Sequence, residues 1–259
     1  MSDLLVPEDK FVVLTRPLLF NKYLKNKLKL ESINVYEFPT IKIVNKNLSN
    51  KEILLLQNLS SFGWIIFTSV NSVNIFIKEL SLLEIDIRVI KSKKIGAIGP
   101  STAMALRGYN INVTFEPSKF ISTKIAEEIG DIKGAKILLP NANIASLELQ
   151  IALKRKGANV ENFHIYKTEY ITKRDPELVR LVKAGYISYI TFTSSSTVNG
   201  FIKRINKDNL SDIIYDIAVV CIGPQTAKTA KRVGFKKIYI ADEYTVKGIL
   251  YKLVDLIHE

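Results

Sequence analysis

The sequence predicts an α/β fold of the doubly wound kind, in which parallel sheets carry helices on both faces. Two observations indicate this class: short, nearly all-apolar runs alternate with segments of helical period, and segments of the first half of the chain recur in the second half. The chain has 259 residues, 47% of them hydrophobic, with only 12 Gly and 8 Pro. This length and composition fit one large or two small globular domains and exclude disordered and collagen-like chains.

The elements follow from hydrophobic periodicity and from the turn residues that bound each run. Strands are predicted at 10–15, 34–38, 63–68, 94–98, 111–115, 136–139, 160–163, 189–193, 218–222 and 237–240. Helices are predicted at 18–30, 71–80, 102–108, 122–129, 145–156, 198–205, 226–233 and 245–257. Because the strands are apolar throughout and helices separate them, we expect parallel sheets that are buried on both faces.

An internal repeat indicates that the chain arose by duplication. Residues 67–78 match residues 192–203 at an offset of 125, and residues 98–103 match residues 222–227 at an offset of 124. Two matches in the same order at nearly the same offset predict two lobes of similar α/β construction.

The two lobes need not be consecutive in sequence. Segments 38–43 and 165–171 follow equivalent strands, look extended, and are more polar than buried strands, as expected of a two-stranded connector. We therefore expect lobe 1 to combine residues 1–36 with 172–259, and lobe 2 to comprise residues 37–171. A ligand-binding cleft is expected between the lobes.

Several classes of protein are disfavoured by composition and motifs. One cysteine, Cys221, and two histidines, His164 and His258, exclude a disulfide framework, and we expect no metal site. No phosphate-binding loop, dinucleotide fingerprint or Gly-x-Ser-x-Gly elbow is present. The N-terminal residues lack an apolar signal region, and no stretch suffices for a transmembrane helix, so we expect a cytoplasmic protein without membrane contact.

The net charge of +12 favours anionic partners in general. The basic residues are mostly lysines and are scattered over nearly every helical segment, which is typical of general surface charge. A nucleic-acid interface would concentrate the charge on one element, so we expect no nucleic-acid partner. A polyanionic small molecule remains the alternative to simple surface charge.

Small polar residues follow four predicted strands, at the sheet edge where helix N-termini present free N–H groups. In open parallel sheets, ligands bind beyond the carboxyl ends of the strands, and these N–H groups suit carboxylate oxygens. The candidate substrate-binding residues in these turns are Ser69, Ser101, Thr102, Thr193, Ser194, Ser195, Gln225 and Thr226. Helix capping is the structural alternative for each hydroxyl.

Two further residues are candidates for the site. Arg16 follows the first strand, and Pro17 fits the first position of a helix, so the guanidinium could bind a carboxylate at this junction. A surface ion pair is the alternative. Tyr166 lies on the expected connector, where its phenol could donate a proton or a hydrogen bond, or could simply pack.

Together these motifs resemble the uroporphyrinogen-III synthase family across nearly the whole chain. The matching segments are Phe67–Val73, Ile98–Ala103, Ile165–Thr168, Phe192–Val198 and Ile222–Ala227. The opening Leu14-Thr-Arg-Pro17 and the closing Thr245-Val-Lys-Gly-Ile249 also fit. The resemblance implies two α/β lobes on a two-stranded connector, with both chain ends in one lobe.

The resemblance also implies a cofactor-free reaction, in which hydroxymethylbilane cyclises with inversion of its last pyrrole ring and loss of water. Tyr166 corresponds to the family's tyrosine and is the candidate catalytic acid. Thr102, Thr226, Ser69 and Ser194 match residues of the paired turns and would position the substrate. We expect a monomer that makes at most transient contact with the preceding enzyme of the pathway.

The chain departs from the family pattern at residues 139–145. The family commonly shows an Arg-Gly pair and a further arginine there, whereas this chain reads Leu-Pro-Asn-Ala-Asn-Ile-Ala. Lys154 or Arg155 could supply the missing carboxylate contact. The departure leaves a second hypothesis open, in which the chain is a catalytically weak or inactive anion- or tetrapyrrole-binding module of the same fold.

Overall fold

Strands and helices alternate along the residues that the computed structural model describes, which are 10–119, 122–205 and 210–258. The strands are β1 Phe11–Leu14, β2 Asn34–Glu37, β3 Ile41–Asn45, β4 Trp64–Phe67, β5 Lys94–Ala97, β6 Lys136–Ala142, β7 Asn159–Tyr170, β8 Ile187–Phe192, β9 Ala218–Cys221 and β10 Ile238–Ile240. The helices are α1 Lys22–Leu30, α2 Asn50–Gln57, α3 Val70–Leu82, α4 Arg88–Lys91, α5 Pro100–Gly108, α6 Ser122–Glu128, α7 Glu148–Arg155, α8 Pro176–Lys183, α9 Ser195–Ile205, α10 Ser211–Ile214, α11 Pro224–Val233 and α12 Val246–His258.

The chain divides into two compact units. Unit 1 comprises residues 1–43 and 169–259, and unit 2 comprises residues 44–168. The sheet of unit 1 has the order β10-β9-β8-β1-β2, and every neighbouring pair is parallel. The other sheet has the order β3-β7-β6-β4-β5, in which β7, β6, β4 and β5 pair in parallel.

Apolar side chains cover both faces of the unit 1 sheet. Val12 and Leu14 of β1 pack with helices α1 and α12, whereas Val13 between them packs with α8, α9 and α11 on the opposite face. Successive side chains of a strand point to opposite faces, so a strand that is buried on both sides must be apolar at every position. The all-apolar runs in the sequence reflect this burial.

Unit 2 is built in the same way. Trp64 and Ile66 of β4 pack against α6 and α7 on one face of the sheet. On β4, Phe67 makes an edge-to-face contact with Phe76 of α3, with ring centroids 5.3 Å apart, and Phe76 contacts Phe163 in turn. The prediction of an α/β fold with two similar parallel-sheet lobes is confirmed.

The division between the units falls inside β3 and β7, several residues away from the boundaries expected at 36/37 and 171/172. The shift has a physical reason in tertiary packing. Phe38 is buried in the core of unit 1, and the buried Arg204 donates hydrogen bonds to the carbonyls of Pro39 and Lys173, both at 2.7 Å. Unit 1 therefore includes residues 37–43 and 169–171, which were expected to belong to lobe 2.

One predicted strand is wrong. Residues 111–115 form a single isolated bridge, between Phe115 and Gly96, instead of a strand. The hydroxyl of Thr114 accepts the hydrogen bond from the Ile95 N–H at 3.1 Å. Because a side chain takes a position that a backbone carbonyl would fill in a regular ladder, the pairing does not extend.

Four short helices, α2, α4, α8 and α10, were not predicted, although α2 and α8 have clear start signals in the sequence. Ahead of α2, the Glu52 carboxylate accepts a hydrogen bond from the Ser49 N–H at 2.9 Å, which is half of a capping box. Ahead of α8, Asp175 accepts from the Leu178 N–H at 3.1 Å and Pro176 occupies the first helical position. Both helices are short, with eight residues each, which explains why periodicity gave a weak signal.

Candidate active site

In each unit, two neighbouring strands are followed by connections that run to opposite sides of the sheet. In unit 1, the chain passes from β1 to β2 on one side, while β8 lies on the other side of β1. In unit 2, β5 and β6 flank β4 in the same way. Ligands of open parallel sheets bind outside the carboxyl ends of the strands at such a switch point. Arg16 and Thr193 follow the two switch strands of unit 1, and Ser69 follows β4 of unit 2.

The Ser69 and Ser194 turns have the same geometry. The Ser69 Oγ accepts a hydrogen bond from the Ser72 N–H at 3.1 Å, and the Ser194 Oγ accepts from the Thr197 N–H at 3.2 Å. In both turns the hydroxyl of the later residue donates back to the serine carbonyl at 2.7 Å. Both serines therefore cap a helix, as the structural alternative predicted, and the duplicated sequence produces a duplicated turn.

The phenol of Tyr166 lies beside the first of these turns. Its oxygen is 3.3 Å from the Ser69 Oγ, although the two residues are 97 positions apart. Tyr166 is only 6% exposed. Burial raises the pKa of the Tyr166 phenol, and the hydrogen bond with Ser69 opposes that shift. The phenol is thus held neutral and can donate a hydrogen bond or a proton.

The turns at Gly99-Pro100 and Gly223-Pro224 differ in the hydrogen bonding of their threonine hydroxyls. The hydroxyl of the buried Thr102 donates to the Ile98 carbonyl at 3.2 Å, whereas the equivalent Thr226 hydroxyl has no hydrogen-bond partner within the described ranges. Ser101 is exposed on the first turn of α5. Gly99 precedes that helix with φ +100°, a conformation that favours glycine.

In unit 1 the structure brings two of the predicted residues, Ser195 and Gln225, into contact. The Ser195 hydroxyl donates to the Gln225 carbonyl at 3.4 Å, and the Thr229 hydroxyl donates to the Ser195 Oγ at 2.8 Å. These bonds join the first turns of α9 and α11, close to Thr193 and Thr226 in sequence. Thr229 was not predicted; it lies one helical turn after Gln225, and its hydroxyl oxygen is also 3.1 Å from the Gln225 carbonyl oxygen.

The guanidinium of Arg16 is the candidate group for binding a carboxylate in unit 1. It is partly buried, and its Cζ lies 5.7 Å from the centre of the Phe20 ring. Among the described residues, no carboxylate forms an ion pair with it. Burial lowers the pKa of Arg16, which still remains protonated at neutral pH. Pro17 precedes a short 3-10 turn and does not itself begin α1, which starts at Lys22.

Comparison with known proteins places these residues in one family. The family model described as Uroporphyrinogen-III synthase HemD matches residues 22–251. The chain belongs to the uroporphyrinogen-III synthase family. A putative uroporphyrinogen-III synthase of Methanocaldococcus jannaschii is 32% identical over 92% of this chain and 95% of its own length. The porphyrin biosynthesis protein HemD of Ruminiclostridium josui is 31% identical over 95% of this chain, which spans about half (48%) of that relative.

Solved structures of uroporphyrinogen III synthases share the fold. A mutant enzyme from Thermus thermophilus superposes with a TM-score of 0.72 at 15% identity, covering 96% of this chain and 98% of its own. The enzyme from Helicobacter pylori gives a TM-score of 0.57 at 16% identity, covering 95% and 99%. At this identity the likeness establishes the fold of the family.

Where the family pattern would place arginine, this member of the uroporphyrinogen-III synthase family has a network of amides. Asn141 Nδ2 donates to Asn162 Oδ1 at 2.9 Å, and Asn162 Nδ2 donates to Gln150 Oε1 at 2.8 Å. His164 Nδ1 lies 2.8 Å from Asn141 Oδ1 and must carry the proton, because that oxygen can only accept. This network depends on the pairing of β6 with β7, so no local sequence pattern predicts it.

The suggestion that Lys154 replaces the missing arginine of the uroporphyrinogen-III synthase pattern is not supported. Lys154 lines a surface groove with Lys136 and Asn159, the first residues of β6 and β7. It therefore lies at the amino edge of the sheet, opposite to the edge that carries Ser69. Arg155 is the last residue of α7, a helix that runs back toward the same amino edge.

Cys221 is a core residue, as predicted. It lies at the end of β9, fully buried, and desolvation raises the pKa of its thiol to about 12. Across the described part of the chain, no group of three or more His, Cys, Asp or Glu residues could hold a metal ion. Nor does that part include a helix that is both long and apolar enough to span a membrane.

Native protein is expected to leave Cys221 unmodified by a water-soluble aromatic disulfide reagent at neutral pH. The thiolate is the reactive species, and both burial and the raised pKa suppress it. Absorbance of the released thiolate should report about one equivalent, for the single cysteine, only after denaturant is added. Rapid stoichiometric labelling of the native protein would contradict the burial of β9.

Proposed function

We propose that this chain is a uroporphyrinogen-III synthase, a cyclising lyase that converts hydroxymethylbilane to uroporphyrinogen III without a cofactor. The observation that carries the proposal is the neutral, buried phenol of Tyr166 at 3.3 Å from Ser69, next to the switch point of unit 2, in a chain of this family. A proton donor at that place suits a reaction that begins with the departure of a hydroxyl group.

Proton transfer from Tyr166 lets the substrate hydroxyl leave as water and generates an azafulvene cation. The substituted carbon of the last pyrrole ring attacks this cation and forms a spiro intermediate, which rearranges to the inverted ring. The proton released as the ring becomes aromatic again restores the acid. Since the substrate is already reactive, the main contribution of the protein is to hold it so that the correct carbon attacks.

We propose that Arg16 and the hydroxyl turns hold the acetate and propionate groups of the substrate. Arg16 has no ion-pair partner within the described ranges, and the Thr226 hydroxyl has no hydrogen-bond partner there. A guanidinium without a partner and free helix N–H groups are suited to carboxylates. Substrate binding by the remaining candidate residues stays a prediction; these are Ser101, Thr102, Thr193, Ser194, Ser195 and Gln225.

The product isomer tests this function. Purified protein supplied with enzymatically generated hydroxymethylbilane should yield the type III isomer, which chromatography separates from type I after oxidation. Type I product alone, formed at the rate seen without protein, would reject the proposal. Tetrapyrrole binding without turnover would support the second candidate, an inactive binding module, which the lack of arginine at residues 139–145 favours.

We further propose that the protein acts in the cytoplasm as a monomer. Hydroxymethylbilane that is left alone cyclises to the wrong isomer, so transient contact with the enzyme that makes it would limit that loss. Adding the preceding enzyme in excess should then lower the fraction of type I product beyond what faster supply explains.

A further inference from the structure

A β-bulge in β7 lies directly before Tyr166 and affects the direction of its side chain. Asn141 pairs with His164 and Ala142 pairs with Tyr166, which leaves Ile165 as an extra residue without a partner on β6. A bulge increases the local twist and redirects side chains. Ile165 and Tyr166 are both buried, with 0% and 6% exposure.

Asn143 forms two hydrogen bonds with β7 just beyond the point where the regular pairing of β6 and β7 ends. It follows directly after β6, and its N–H donates to the Tyr166 carbonyl at 3.2 Å. Its side-chain Oδ1 accepts a hydrogen bond from the Thr168 N–H at 2.8 Å. One residue therefore binds the backbone of β7 at Tyr166 and again two residues later, where the ladder would otherwise be open.

The amide of Asn143 can adopt only one orientation in this contact. Because the Thr168 N–H is a donor, the side-chain oxygen must face β7 and the Nδ2 group must face away. Within the described residues, Nδ2 has no hydrogen-bond partner. The acceptor role of Asn143 is thus occupied by the strand, and its donor role is open.

We propose that Asn143 is a positioning residue for Tyr166: it holds the bulged segment of β7 so that the phenol stays beside Ser69. The inference rests on the proposed function for the meaning of Tyr166, but the geometry that it describes can be measured without turnover. Direct contact between Nδ2 and a substrate carboxylate is the competing role, and the two roles predict different behaviour of one variant.

The first measurement follows the phenol itself. Protein labelled with ¹³Cζ-tyrosine is titrated by NMR, and the Tyr166 resonance is identified by its absence in Tyr166→Phe. In Asn143→Ala, the pKa of Tyr166 should fall toward that of an exposed tyrosine, because the loosened segment admits water. Asn143→Asp keeps the acceptor for the Thr168 N–H and should keep the wild-type titration. Asn159→Ala is the matched control, since it removes a similar side-chain bond, to the Gly134 carbonyl, at the other end of β7.

Kinetics separate positioning from direct binding. Positioning predicts that kcat falls about tenfold in Asn143→Ala, because small displacements of a reacting group are costly, and that Asn143→Asp restores it. The added negative charge of Asn143→Asp should raise KM for the polyanionic substrate. Direct binding by Nδ2 predicts instead that Asn143→Asp is worse than Asn143→Ala in kcat/KM with no recovery of kcat.

Three results would overturn the inference: an unchanged Tyr166 titration in Asn143→Ala, equal titrations in the alanine and aspartate variants, or a Thr168 amide that exchanges with solvent as fast as an exposed one in the wild type. The last measurement needs no variant and decides the matter even if a variant does not fold. A Tyr166 titration that moves as expected in a protein without type III activity would support positioning while rejecting the proposed function.

Discussion

Tyr166→Phe should lower the rate of type III formation by about 100-fold, the usual contribution of a positioned acid. The substitution removes the phenol oxygen that lies 3.3 Å from Ser69 and leaves the buried ring in place. Because the ring supplies the packing, the far-UV circular dichroism and the unfolding transition should match those of the wild type. The measurement is kcat for the type III isomer at saturating substrate.

The matched control is Tyr109→Phe. The Tyr109 hydroxyl also donates a hydrogen bond, to Asn74 Oδ1 at 3.3 Å, but Tyr109 is exposed and directly follows α5. This variant should retain wild-type activity. Equal activity of Tyr166→Phe and Tyr109→Phe would remove Tyr166 as the proton donor.

Burial fixes the direction of the pH dependence that Tyr166 can cause. Desolvation raises the pKa of the phenol above its usual value, and the Ser69 hydrogen bond opposes this shift. A raised pKa keeps the acid form through neutral pH and beyond the range in which an ordinary tyrosine ionises, about pH 10. Loss of activity at lower pH would therefore come from other groups, and Tyr166→Phe should not alter that limb of the profile.

Gly200→Ala should destabilise the protein by about 3 kcal/mol, at the upper end of what overpacking costs. A Cβ at Gly200 would lie 2.6 Å from the Thr40 carbonyl oxygen and 3.0 Å from Tyr170 Cδ1. The Thr40 carbonyl cannot easily move, because it accepts the Ile171 N–H at 3.0 Å. Helix α9 must therefore shift away from the connector strand, which breaks the bond from the Thr40 hydroxyl to the Thr197 carbonyl.

Thermal unfolding followed by circular dichroism measures this effect, and a decrease of the midpoint on the order of 10 °C is expected. Gly108→Ala is the control, because a Cβ at Gly108 would meet no atom within 4 Å and the residue already lies in a helix. That variant should be as stable as the wild type or about 0.5 kcal/mol more stable. Equal midpoints for the two alanine variants would show that α9 does not pack against Thr40 as closely as described.

Local sequence patterns are sufficient to predict the fold class, the order of most elements and the turns that carry hydroxyl groups. Buried parallel strands require apolar side chains on both faces, and a helix start requires a cap within three residues. Both features therefore depend only on residues that are close together in sequence. The repeat at an offset of 125 likewise anticipated that Ser69 and Ser194 occupy equivalent turns, and their hydrogen bonds agree closely. The short helices α2, α4, α8 and α10 were not predicted, because helices of eight residues or fewer give little periodicity.

Contacts between residues that are distant in sequence depend on the packing of the folded chain. The extra residue at Ile165, the contact of Tyr166 with Ser69, and the two bonds of Asn143 to β7 all depend on the register between strands that lie far apart in sequence. Likewise, Arg204 holds the Pro39 and Lys173 carbonyls and moves the boundary of unit 1 into the connector strands. Periodicity and capping act over a few residues, whereas strand register is fixed by the packing of the whole sheet, so no local pattern records it.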